Sequence, residues 1–380
     1  MTPLRMGICR TAGRTLARVF VWAGLIALAA PASAQVTPAA GYVPPDDTQA
    51  IRLGAVIFYD YTYQKDPKIT DTAGNLISPS AFNVARTYIN VTGNISHVVA
   101  FRITPDISRE TGTGPSLTGS LILRLKYGYA QFNLDDWMWR GSFVRLGIQQ
   151  TPIVDYEENI YRYRFQGTVF IERDGLMSSA DAGVSFRTLF PNNYGEVHVG
   201  LYNGEGYTQR DPNDQKAFMV RGTARPLPNG NAYARGLRVT AFYFGDHYLR
   251  DAVRERFVFN TTMEHRWFNA GFDWMTRTDQ PTPTSVKTDS DGYSFWATPF
   301  FHEKGNGLEA LIRVDGFKPN SDLDARQTRW IVGGAYWFPH PGGNATAALM
   351  FDWEQVTFDN YVDPVPAKQQ RYFVHGLISF

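Results

Sequence analysis

Residues 121–129 read LILRLKYGY. Leu121, Leu123, Leu125, Tyr127 and Tyr129 fall on one face, and Arg124, Lys126 and Gly128 on the other. A period of two is that of a β-strand with one apolar face. The same pattern recurs along the chain. Val99, Phe101 and Ile103 oppose Ala100, Arg102 and Thr104; Phe218, Val220 and Ala224 oppose Arg221, Thr223 and Arg225. In Trp330–Phe338 the apolar face is Trp330, Val332, Tyr336 and Phe338.

Sixteen such segments can be marked, near 50–64, 81–93, 95–105, 119–132, 140–149, 178–189, 194–203, 215–225, 233–245, 255–265, 267–278, 290–301, 305–317, 326–338, 343–358 and 369–380. Strands of soluble domains centre on five or six residues. Segments of ten or more suit tilted strands that cross a bilayer. Gaps after odd-numbered segments are mostly long. Gaps after even-numbered ones are mostly short and carry turn formers, as at Asn192-Asn193, Pro228-Asn229-Gly230 and Pro341-Gly342-Gly343. Short turns on one side and longer loops on the other are the asymmetry of an outer-membrane barrel. Aromatic residues near segment ends fit an interfacial girdle. The expected fold is all-β: a 16-stranded antiparallel transmembrane β-barrel with an inward-folded third loop.

The N-terminal region reads as a processing segment. Arg5, Arg10, Arg14 and Arg18 precede an apolar core at Val19–Ala30, and Ala32-Ser33-Ala34 fits a cleavage site. Residues 1–34 are therefore expected to be a signal peptide, 35–49 a proline-containing periplasmic lead-in, and 50–380 the barrel. The single cysteine, Cys9, lies in the signal, so no disulfide is expected in the exported chain. Beyond residue 34 stand 33 basic and 36 acidic residues, and only eight of the basic ones are lysine. That balance gives no reason to expect nucleic acid as a partner. No run of 18 apolar residues follows the signal, so no transmembrane helix is expected.

Charge is distributed unevenly. The sixteen segments hold nineteen basic residues against eleven acidic ones, Glu196, Glu309 and Glu354 among the acids. A lipid-facing arginine near midplane costs about 2–4 kcal/mol, so strand charges should face the lumen. Candidate pore-lining residues are Arg86, Arg102, Arg124, Lys126, Arg145, Arg187, Arg221 and Arg225. Excess guanidinium would favour small anions. Lumenal arginines facing acids would instead give a weakly selective pore, and both readings stay open. The longest break is the stretch 150–178, with Asp155, Glu157, Glu158, Glu172 and Asp174 against Arg162, Arg164 and Arg173. As the third long connection it is the candidate constriction loop. A surface loop with solvated charges is the alternative, although unstructured loops of this length are uncommon.

The end of the chain, RYFVHGLISF (Arg371–Phe380), resembles the terminal signature of bacterial outer-membrane proteins. Tyr372, Val374, Ile378 and the terminal Phe380 share one face. That resemblance implies recognition by the barrel-assembly machinery, and a place among outer-membrane lipid and lipopolysaccharide. Taken with FNVARTYINVTGNIS (Phe82–Ser96) and GTVFIERDGL (Gly167–Leu176, with Phe170, Glu172 and Arg173), the chain resembles the phosphate-selective porin O/P family of Gram-negative bacteria. The resemblance implies a homotrimer passing small anionic solutes passively through an arginine-lined pore. The chain departs from the family in its scarcity of lysine.

Other constellations are weak. The seven histidines are scattered and no HExxH occurs. Asp289-Ser290-Asp291-Gly292 lacks the later ligands of a calcium loop. Gly112-Thr113-Gly114 and Gly204-Glu205-Gly206 have no helix behind them to cradle phosphate. No catalytic set emerges, so no enzyme activity, metal or cofactor is expected. A barrel enzyme or an adhesin is the competing class.

Overall fold

The computed structural model describes residues 47–110, 117–339, 345–362 and 364–380. The expected signal, residues 35–46 of the lead-in, Gly112-Thr113-Gly114 and the turn at Pro341-Gly342-Gly343 lie outside the described residues.

Sixteen strands close into one antiparallel barrel. They are β1 (Ala50–Asp66), β4 (Ser80–Asn94), β5 (Val99–Arg109), β6 (Leu121–Asn133), β7 (Phe143–Gln150), β8 (Ala180–Leu189), β9 (Gly195–Tyr202), β10 (Ala217–Ala224), β11 (Leu237–Leu249), β12 (Ala252–His265), β13 (Phe268–Asp279), β14 (Thr288–Pro299), β15 (Gly307–Lys318), β16 (Arg326–Trp337), β17 (Thr346–Asp359) and β18 (Lys368–Ser379). A small hairpin, β2 (Ile69–Thr70) and β3 (Leu76–Ile77), stands in the connection after β1. Strand β1 pairs with both β4 and β18, which closes the ring. All sixteen expected segments are present.

The alternation sorts side chains between two environments. In β16, Trp330 and Val332 are exposed while Arg329 and Ile331 are buried. In β10, Phe218 is exposed while Met219, Arg221 and Thr223 are buried. Apolar side chains thus cover the outside and most strand charges turn inward, the reverse of a soluble protein. A continuous apolar exterior of this size is stable only against lipid. Closure leaves no open sheet edge, so the strand backbone needs no hydrogen bonds from the bilayer.

One face expected from the sequence is wrong. Leu121, Leu123 and Leu125 are exposed, but Tyr127 and Tyr129 are both buried at 6% exposure. The register explains the switch. Thr104 pairs with Tyr127 and Pro105 with Leu125, so Lys126 is an extra residue in β6. Proline has no N–H to give the ladder. The bulge opposite Pro105 reverses the phase of β6. Both tyrosines, and Lys126 beside them, therefore point inward.

A second expectation also fails. The sequence pattern leaves a gap of residues 246–254 between the ninth and tenth segments. Strands β11 and β12 instead run on until only residues 250–251 separate them, with Asp251 at a φ of 63°. Asp246 and Arg254 are cross-strand partners and form an ion pair, which keeps the ladder together to its end. The short turn after β8 is as expected: Asn192 and Asn193 sit at φ 55° and 64°, a region asparagine tolerates.

Candidate functional site

The connection between β7 and β8 is a folded element. Its neck is closed by the Thr151 N–H on Ser179 O (3.1 Å) and the Thr151 hydroxyl on Ser178 O (2.7 Å). Helix α1 (Val154–Tyr161) follows, with Val154, Glu157, Ile160 and Tyr161 buried. Their spacing of three and four puts them on one side of the helix. Arg162 ends the helix in the left-handed region at φ 66°, its N–H bonded to Glu158 O. A non-glycine residue there costs about 1–2 kcal/mol. Side-chain contacts offset that cost: Arg162 Nη1 lies 3.2 Å from Glu309 Oε1, and its guanidinium sits 4.4 Å from the Trp337 ring centroid.

The rest of the segment packs on strands far from its own ends. Tyr163 donates to Glu309 (2.8 Å), and Asn269 donates to Ile160 O (2.8 Å). Arg313 donates to Thr168 O (2.8 Å), and Arg173 pairs with Glu354 (3.0 Å). Tyr161 meets Trp296 edge-on at 5.2 Å, and Phe165 meets Trp337 at 5.8 Å. Thr240 on β11 and Arg256 on β12 complete the set, donating to Tyr156 Oη and Leu176 O. The segment therefore touches inward-facing groups of β11 to β17. Ile153, Val169, Phe170 and Ile171 are almost fully buried, and the main apolar core lies between segment and wall.

The segment's charges are divided among partners. Arg162 and Arg173 point to Glu309 and Glu354. Arg164 pairs with Glu158 and, at 3.6 Å, with Glu172. Burial pushes the Glu158 carboxyl up to about 7, against the pull of Arg164. Glu157 is fully buried beside Asp273 of β13. Asp155 feels Arg102, Arg145, Lys126 and Arg187, yet among the described residues none of these forms an ion pair with it. Asp174 falls in the turn Arg173–Gly175; its side chain lies outside the described residues.

The eight strand cations expected to line a pore all make contacts with inward-facing groups or near a strand end, but they are not equivalent. Arg86 pairs with Asp106. Arg187 and Arg221 both pair with Glu196. Arg225 donates to Arg235 O (2.7 Å). The cations of β5 to β7 are held differently. Arg102 donates to Asn90 (2.8 Å) and Thr104 (2.9 Å), 4.4 Å from the Tyr127 ring. Lys126 lies 3.2 Å from the Tyr88 hydroxyl and 4.8 Å from that ring. Arg145 donates to Gln131 (2.8 Å) and Gln150 (2.9 Å), between Tyr129 at 4.6 Å and Phe143 at 4.2 Å. Arg124 donates to Ser108. Among the described residues no ion pair joins Arg124, Lys126 or Arg145 to a carboxylate. Rings and amides fix these cations without neutralising them. A cleft of about 370 Å³ lies beside the segment, lined by Arg86, Glu172, Asp181, Glu205, Arg254 and Arg256 among others.

No family model and no curated protein sequence matches the chain. Solved structures do. The anion-selective porin from Comamonas acidovorans superposes with a TM-score of 0.59 at 11% identity, over 87% of this chain and 100% of that one. The loop L8 deletion mutant of OmpT, an outer membrane protein of Vibrio cholerae, gives 0.58 at 11%, over 88% and 100%. The outer membrane channel DcaP of Acinetobacter baumannii gives 0.57 at 10%, over 89% and 100%. The chain has the fold of these outer-membrane barrels. At such identities the likeness extends to the barrel and not to any solute.

Sequence reasoning missed the ring partners of this barrel's cations. Alternation alone puts Tyr127 and Tyr129 on the face opposite Arg124 and Lys126, and it assigns no role to Tyr88 or Phe143. The available signal was Pro105, one strand away from the residues it re-aims. Helix α1 is not among the expected elements, although Val154, Glu157 and Tyr161 keep a helical spacing.

Proposed function

We propose that the chain is an outer-membrane porin that passes small hydrophilic solutes passively and prefers anions, with the β7–β8 segment as its constriction. The observation that carries the preference is the wall of β5 to β7, where Arg124, Lys126 and Arg145 are held by hydroxyls, amides and rings. The cations of the other strands are largely cancelled, as Arg187 and Arg221 are by Glu196 and Arg313 by Asp315. A cationic strip with no carboxylate ion-paired to it selects for anions. The resemblance to phosphate-selective porins makes phosphate the first anion to try, and carries the proposals of a homotrimer and of assembly through Phe380 into outer-membrane lipid and lipopolysaccharide. Transport down a gradient needs no cofactor and no catalytic group.

The test is planar-bilayer recording of the purified barrel. Discrete conductance steps are expected, with ion selectivity that depends on the strip. Two unit charges 4 Å apart in a water-like medium interact by about 1 kcal/mol, a factor of about five. Neutralising Lys126 and Arg145 together (K126Q/R145Q) is therefore expected to lower the anion-to-cation permeability ratio by about fivefold or more. Neutralising Arg187, already paired with Glu196, should leave the ratio higher than the double variant does. Equal effects would remove the argument for the strip.

A further inference from the structure

Glu157 stands where a helix packed on a wall would ordinarily carry an apolar residue. It shares the buried side of α1 with Val154, Ile160 and Tyr161 and is 0% exposed. Its contact is another carboxyl, Asp273 of β13, also 0% exposed. Asn260 donates to Asp273 Oδ1 (2.7 Å). Among the described residues no nitrogen or hydroxyl donor reaches either oxygen of Glu157 or Oδ2 of Asp273.

The arginine that acts on both groups, Arg313, does not resolve this. Arg313 gives Nε and Nη2 to the two oxygens of Asp315 (2.8 and 2.7 Å) and Nη1 to Thr168 O (2.8 Å). Glu158 on α1 and Asp315 on β15, both acidic, also act on the pair. Two touching, buried carboxylates with, among the described residues, no cation paired to either and Asn260 as their single donor cannot both be ionised. One proton between them gives a donor and an acceptor, and satisfies both at once.

We propose that Glu157 and Asp273 form a buried proton-binding site that latches the constriction segment to the barrel wall. With one proton bound, the carboxyl-to-carboxylate hydrogen bond holds α1 on β13, next to the Asn269 bond to Ile160 O. When that proton leaves to solvent, two negative charges face each other in an apolar contact and the helix comes off the wall. Burial, reinforced by Asp273, holds the Glu157 carboxyl well above its ordinary range. The docked segment thus binds the proton more tightly than the released one. Docking is strongest in acid and weakens as pH rises above the value of a free glutamic acid. Its consequence for permeation rests on the porin reading: the constriction would loosen on the alkaline side.

The site is tested by hydrogen exchange on the folded barrel in lipid, read as protection factors for amides 154–161 across about pH 5 to pH 9. In the unaltered protein, protection is expected to fall tenfold or more between the ends of the range. Glu157→Gln supplies a neutral donor that does not titrate, so its protection should stay flat. Asp273→Asn makes the same test from the wall side and serves if E157Q does not fold. Unchanged protection in the unaltered protein, or the same pH profile in both variants, would overturn the latch. Exchange requires no channel activity. A barrel that conducts no ions would defeat the porin reading while the exchange profile still decides the proton site.

Discussion

Glu309→Ala is expected to free the far end of the constriction segment and to give larger, noisier single-channel currents than the unaltered barrel. Glu309 is 1% exposed and anchors three groups: Arg162 (3.2 Å), the Tyr163 hydroxyl (2.8 Å) and the Gly305 N–H (2.6 Å). Removing one partner of a buried ion pair costs about 3–5 kcal/mol, because the other charge is left without compensation. Arg162 also loses the contact that offsets its left-handed backbone. A loss of about 3 kcal/mol shifts a docked-to-released equilibrium by more than a hundredfold. The segment would then be released for much of the time at its β15 end, while Arg173 on Glu354 and the neck at Thr151 still hold the rest. Glu309→Gln keeps one accepting oxygen of the two and should fall between the unaltered barrel and Glu309→Ala. Currents identical to the unaltered barrel's in amplitude and noise would show that Glu309 does not anchor the constriction.

The largest effect on the barrel itself is expected from Glu196→Ala. Glu196 takes Arg187 on one oxygen and Arg221 on the other, and all three side chains are nearly buried. Removing it leaves two close guanidinium groups with no carboxylate between them. The expected loss is about 3–5 kcal/mol, seen as a lower denaturant midpoint for the folded barrel. Replacing Arg187 as well removes one of the stranded charges, so R187A/E196A should be less destabilised than E196A alone. A double variant as unstable as the sum of the singles would mean that the ion pair contributes nothing beyond packing. Arg221 also lies 4.1 Å from the ring of Tyr156 on α1. E196A is therefore expected to disturb the helix as well as the wall.

The barrel was legible because its signal is local and repeated. Alternation in Trp330–Phe338 or Phe218–Arg225 needs no knowledge of the neighbouring strands, and long segments with turn residues between them recur along the whole chain. The ring-backed cations were not legible for the opposite reason. The inward turn of Tyr127 and Tyr129 is caused by Pro105 on the adjacent strand, through a register that only pairing reveals. Alternation read within β6 alone could not register the extra residue at Lys126. The charges of the segment were visible as a list, but their partners Glu309, Glu354 and Asp273 lie more than a hundred residues away. Glu157 on the wall side of α1 carried the one local hint, a carboxyl at a helical spacing from Val154 and Tyr161.

The same geometry explains how a chain with slightly more acidic than basic residues beyond position 34 can present a cationic strip. Its carboxylates are spent on arginines: Asp106 on Arg86, Glu196 on Arg187 and Arg221, Asp246 on Arg254, Asp315 on Arg313. What is left over on β6 and β7 is positive and fixed against rings. In the proposed pore, selectivity follows which cations lack a carboxylate, and net charge is a poor guide to it.

The most direct test is the zero-current potential of the unaltered barrel in a planar bilayer under a salt gradient of potassium chloride. A potential of the sign set by chloride, reduced in K126Q/R145Q, is the predicted result. A potential of the opposite sign, or none at all, would contradict an anion-preferring pore.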